Sequence, residues 1–99
     1  SVNVNTQTTI FIPNVFSPNG DGNNDEFRIF GDFAMIRYFE CAIFDRWGEK
    51  VFESNNYQFN WDGTYKGEPA QIGNYVYMMT VAFADGSHKD YKGSVMLLR

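Results

Sequence analysis

Asp21, Asn23 and Asp25 stand at alternate positions in the run Ser17-Pro18-Asn19-Gly20-Asp21-Gly22-Asn23-Asn24-Asp25-Glu26-Phe27. Oxygen-bearing side chains at the first, third and fifth positions of a loop are how calcium loops gather their ligands. The complete calcium motif also wants Gly at the sixth position and Glu at the twelfth, where this chain has Glu26 and Asp32. The same residue types close ion-free turns, because Asn and Asp bond their own backbone and tolerate the left-handed region. Two readings stand side by side: a calcium site at Asp21, Asn23 and Asp25, or a self-capped turn. Calcium is the one cofactor the sequence suggests.

Other chemistry finds little material. Cys41 and His88 are each the only residue of their type, so neither a thiolate cluster nor a His-rich zinc site can form within the chain. Ser17 lacks the G-x-S-x-G context of a nucleophile elbow. Carboxylates are plentiful, yet no pair is singled out for acid and base roles. The expectation is a non-catalytic protein. Trp47 and Trp61 each lie close to a turn glycine and could stack on a sugar. For Trp61 core packing is the stronger reading, since Trp generally buries its area and satisfies its N–H.

These residues need a framework, and the composition supplies one. Ninety-nine residues suit one domain, and 43% hydrophobic with 18% aromatic residues is enough to build a core. A net charge of −4 argues against a nucleic-acid surface, which needs clustered Lys and Arg. No apolar run reaches the roughly 20 residues of a membrane-spanning helix. The amino-terminal residues show no signal-peptide pattern. The sequence opens on Ser1 rather than Met, which reads as a piece of a longer protein. Residues 1–9, rich in Asn and Thr, read as a linker from an upstream passenger, and residues 10–99 as the domain.

Period-two alternation marks the strands, and no segment shows sustained helical periodicity. Strands are predicted at 8–13, 26–30, 35–45, 50–53, 58–61, 74–85 and 88–98. Phe39, Cys41 and Ile43 should share a buried face. Val51 and Phe52 should point to opposite faces. Asp45-Arg46-Trp47-Gly48 suits a hairpin turn with a left-handed glycine and a bulge. Asp85-Gly86 suggests a two-residue turn with positive φ at both residues. Lys66-Gly67-Glu68-Pro69 makes a further turn. Gly93 interrupts the last strand and implies a bulge or an aromatic ring packed over it. Regularly spaced turns between short strands give an all-β, Ig-like antiparallel sandwich.

Five ordered motifs carry a resemblance. They are Ser17 to Phe27, Arg46-Trp47-Gly48-Glu49-Lys50-Val51-Phe52-Glu53, Trp61-Asp62-Gly63, Gly73-Asn74-Tyr75-Val76-Tyr77 and Lys92-Gly93-Ser94-Val95-Met96-Leu97-Leu98-Arg99. Together they resemble the gliding motility-associated C-terminal domain, the type B sorting domain of the type IX secretion system. The resemblance implies a domain at the end of a large exported protein, often a surface adhesin or a gliding or enzyme component. It implies passage through the periplasm and the outer-membrane translocon, ending at the cell surface or outside the cell. It also implies a PorP/SprF-like outer-membrane protein as partner, and a monomeric domain when isolated. The other reading is an Ig-like accessory module that binds a glycan or another surface protein. Physically, a folded sorting signal must present a surface. The strand from Tyr91 to Arg99 is expected to offer an open edge near the end of the sequence.

Overall fold

The computed structural model describes residues 10–20, 22 and 25–99, so the linker reading of residues 1–9 and the side chains of Asp21 and Asn23 lie outside the described residues. Among the described residues nine strands follow in order: β1 (Ile10–Phe11), β2 (Val15–Phe16), β3 (Phe30–Gly31), β4 (Ile36–Phe44), β5 (Lys50–Ser54), β6 (Thr64–Tyr65), β7 (Glu68–Pro69), β8 (Gly73–Phe83) and β9 (His88–Leu97). The five-stranded sheet runs β2-β9-β8-β4-β5, with β1 paired to β3 and β6 paired to β7. The all-β sandwich read from the sequence is the observed fold.

The sheet buries one face. Phe39, Cys41 and Ile43 from β4, Tyr75, Met79 and Val81 from β8, and Val95 and Leu97 from β9 form its inner side. The facing layer is aromatic and largely irregular. Phe27, Ile29, Phe59 and Trp61 are buried in it, and Phe27 bridges Trp61 through reciprocal backbone hydrogen bonds of 2.8 and 3.0 Å. Arg28 and Phe30 point outward, as the alternation in 26–30 requires. Phe16 joins the layers, its ring 6.0 Å from Phe27 and 5.4 Å from Trp61. Rings tilted at such separations add to the burial of their apolar area.

The segment before the first loop is shared between the layers. Ile10 and Phe11 pair with Gly31 and Phe30, whereas Val15 and Phe16 pair in parallel with Met96 and Leu97. Pro13 sits between the two, where the chain changes sheets and its missing N–H costs no ladder bond.

Several local expectations change. A bulge between Ile43 and Phe44 leaves Val51 as an extra residue, so Val51 and Phe52 both pack on the core instead of on opposite faces. A second irregularity at Arg37 explains why Ile36 and Phe39, three residues apart, are both buried. Asp85 does not have positive φ; only Gly86 does, at 90°. Gly86 N–H donates to Phe83 O and Phe83 N–H to Ser87 O, which makes a three-residue loop ending in a left-handed glycine. The Asp85 carboxylate prefers this form because it accepts from both the Ser87 amide and hydroxyl. Positive φ at both central residues occurs instead at Lys66 (55°) and Gly67 (81°), between β6 and β7, where only a turn is expected from the sequence. Gly93 carries no bulge: it pairs with Tyr77, whose ring lies over it.

Candidate functional site

Strand register places the ends of β2, β4 and β9 and the starts of β5 and β8 at one end of the sheet. Phe16 pairs with Leu97, Leu97 with Gly73, Phe44 with Val76 and Phe44 with Lys50. The 17–25 loop, the 45–49 turn and the 62–72 segment therefore emerge together, and Arg99 reaches into them. Each of the five sequence motifs contributes to this end.

Asp25 organises the first loop. Its Oδ1 accepts from Gly20 N–H at 3.0 Å and its Oδ2 from Gly22 N–H at 2.8 Å. Gly20 and Gly22 hold φ of 79° and 83°, which non-glycine residues rarely adopt. Of the three proposed calcium ligands, Asp25 is thus placed at the centre of the turn. Among the described residues no three of His, Cys, Asp and Glu gather as a metal-binding group.

The second element is the β4–β5 turn. Asp45 Oδ1 accepts from the amides of Trp47 and Glu49, both at 2.9 Å, and Gly48 N–H closes the turn on Asp45 O at 3.0 Å. This rigid turn holds Trp47 in solvent, 77% exposed, with the Arg46 guanidinium 5.3 Å from its ring centre. Trp47 and Trp61 thus diverge. Trp61 is buried and donates from Nε1 to Thr64 O at 2.9 Å.

The third element joins the others. Gly63, at φ 80°, packs so closely that a Cβ there would stand 3.2 Å from both Leu97 and Pro18. Arg99 donates to Gly63 O at 3.2 Å and to Ala70 O at 2.9 Å, fastening the last strand to the β6–β7 segment. Tyr65 donates its hydroxyl to Glu49, and that bond is the main cause of its raised pKa. Burial raises the Tyr75 pKa, with Asp45 adding to the rise and Arg99 and Arg46 opposing it. A cleft of about 370 Å³ lies between the turn and the 68–75 segment, walled by Trp47, Tyr65, Pro69, Ile72 and Tyr75. Ile72 is itself 54% exposed.

The parts that sequence reading missed are Tyr65, Ile72 and the Arg99 contacts. Thr64-Tyr65 and Glu68-Pro69 around Lys66-Gly67 had the form of a short hairpin, which is the signal that would have found the first. Cys41 is buried as expected, and desolvation pushes its thiol up to about 12.

The molecule is an all-β sandwich in which loops from all five motifs meet at one end. The chain belongs to the family described as the CHU_C Type IX secretion signal domain, whose model matches residues 10–97. It is a sorting domain of type IX secretion, and membership carries export with it. No curated protein sequence matches the chain. Among solved structures the fold resembles CopC from Methylosinus trichosporium OB3b, with a TM-score of 0.58 and 15% identity over 88% of this chain and 84% of that one. At that identity the likeness concerns the fold alone.

Proposed function

We propose that the domain acts as a non-catalytic address read as a folded surface, and that the surface is the loop-built end carrying Trp47. The observation behind this is convergence. Motifs from 17 to 99, far apart in sequence, meet where side-chain-to-backbone bonds from Asp25, Asp45 and Arg99 hold the loops still. Core positions need only be apolar and of suitable size, whereas a rigid loop end is where recognition is usually placed. The exposed Trp47, with Arg46 against it and Ile72 across the cleft, has the composition of a protein-binding hot spot.

The partner in this reading is an outer-membrane protein of the PorP/SprF kind, working with the translocon. The cargo is a surface adhesin or gliding protein joined before residue 10, carried through the periplasm to the cell surface or medium. An accessory role in binding a glycan or a surface protein is the second reading, favoured by the exposed Trp47 alone. At the first loop we favour the self-capped turn over calcium at Asp21, Asn23 and Asp25, because Asp25 caps the Gly20 and Gly22 amides directly and the turn closes without an ion.

A periplasmic reporter followed by this chain separates the two roles. Sorting predicts that the reporter leaves the cell and that Trp47→Ala retains it. An accessory module predicts no export from either.

A further inference from the structure

β9 is ten residues long, and its pairing with β8 runs without irregularity from His88 to Leu97. On its other side, among the described residues, only Met96 and Leu97 meet a strand, the two-residue β2. Met96 N–H donates to Asn14 O and Leu98 N–H to Phe16 O, both at 2.9 Å. These bonds show that the even-numbered residues turn their backbone groups away from β8. By the period of a strand, Asp90, Lys92 and Ser94 do the same. No strand among the described residues faces them. The cause is the change of sheets at Pro13: Ile10 and Phe11, in the register that would lie beside the middle of β9, pair with β3 instead, and the chain joins β9 only at Val15. The edge expected to be open near the end of the sequence is therefore covered there by β2, and open at the hairpin end instead.

We propose that this stretch, His88–Ser94, receives an extended strand from a protein of the export apparatus, which adds to the sheet beside β9 and continues the line of β2. The partner's source rests on the sorting role; the strand addition rests on the edge itself. Unpaired N–H and C=O groups in a row specify an extended chain as occupant. The flanking side chains describe it further. On the inner face Tyr91 is half-buried, and the half-buried ring of Tyr77 lies over Gly93, forming an aromatic shelf for an apolar side chain of the incoming strand. On the outer face Lys92 would lie beside an acidic residue. Lys89, Asp90 and Lys92 are the kind of charged residues that keep sheet edges from pairing with copies of themselves, which points to a different chain as occupant. The opposite edge, β5, is shorter, bulged at Val51 and carries the Lys50–Glu53 ion pair.

Lys92→Pro removes the outward N–H, whereas Lys92→Ala keeps it and removes the charge. Joined behind a periplasmic reporter, the unaltered chain and Lys92→Ala should be exported, and a folded Lys92→Pro should fall at least tenfold. A folded Lys92→Pro exported at the unaltered level overturns the proposal. If Lys92→Pro does not fold, hydrogen exchange decides. Detergent-solubilised type IX translocon, added to the unaltered chain, should slow the amides of Asp90, Lys92 and Ser94 at least tenfold, and no slowing overturns it. Amides already protected in the free domain would mean that the chain covers its own edge, which also overturns it. Failure of the unaltered chain to export is a failure of the sorting role, and the exchange result then judges the edge by itself.

Discussion

Tyr77 lies across Gly93 so closely that a Cβ at position 93 would stand 2.5 Å from its hydroxyl and 2.8 Å from Cζ. The two residues are cross-strand partners, and the tyrosine ring also packs 5.8 Å from Phe27. Gly93 is thus required by a neighbour, since its own φ is unexceptional. Gly93→Ala should cost about 1–3 kcal/mol by forcing the ring aside. Denaturant melts of Gly93→Ala, Tyr77→Ala and the double variant should show coupling, with the alanine at 93 nearly harmless once the ring is gone.

Asp25 spans two amides of its loop, so Asp25→Ala should destabilise the domain by about 1–2 kcal/mol, and Asp25→Asn by less. On the self-capped reading, melting temperatures with calcium and with chelator coincide. A higher temperature in calcium would assign an ion to Asp21, Asn23 and Asp25, because a ligand of the folded state stabilises it by mass action.

Cys41 predicts an alkaline weakness. Its folded thiol titrates near 12, while a thiol in the unfolded chain titrates near about 8.5. The folded state therefore holds the proton where the unfolded state releases it. Stability is complete below the unfolded value and falls as pH rises toward the folded one, by at most about 1.4 kcal/mol per pH unit. Between pH 8.5 and 10 the wild type should lose stability faster than Cys41→Val, the other titrating groups being common to both. Parallel slopes would contradict this. Cys41→Ser should cost about 1–3 kcal/mol by burying a hydroxyl among apolar neighbours.

The two tryptophans should separate folding from recognition. Trp61→Ala removes a fully buried ring and should cost about 3–5 kcal/mol. Trp47→Ala should change stability by less than about 0.5 kcal/mol, since its ring stands in solvent. Reporter export measured on the same variants is expected to fall for Trp47→Ala while the melting temperature stays put. Export that tracks stability alone would move recognition elsewhere.

The long strands were legible because burial on one face writes itself as alternation: Phe39, Cys41 and Ile43 are buried, and Glu40 is exposed. Irregularities were not legible at the same level. An extra residue at Val51 or Arg37 reverses the faces locally, and nothing in the residue types announces it. Asp85-Gly86 matched a two-residue turn, yet the aspartate's bonds to Ser87 favour a longer one. The parallel pairing of Val15–Phe16 with Met96–Leu97 joins residues about eighty positions apart, beyond the reach of any local pattern. The loop-built end was visible as motifs, while their meeting depended on topology.

That parallel pairing has a mechanical consequence. If the chain is pulled between Ile10 and Leu98, β2 is drawn one way along its axis and β9 the other. The bonds from Met96 to Asn14 and from Leu98 to Phe16 then lie across the load and must shear together, where a hairpin would unzip one bond at a time. A domain towed or tethered through its flanks would resist tension at this two-residue clasp first, and single-molecule stretching along that direction should need a higher force than pulling the β8–β9 hairpin apart from its open ends.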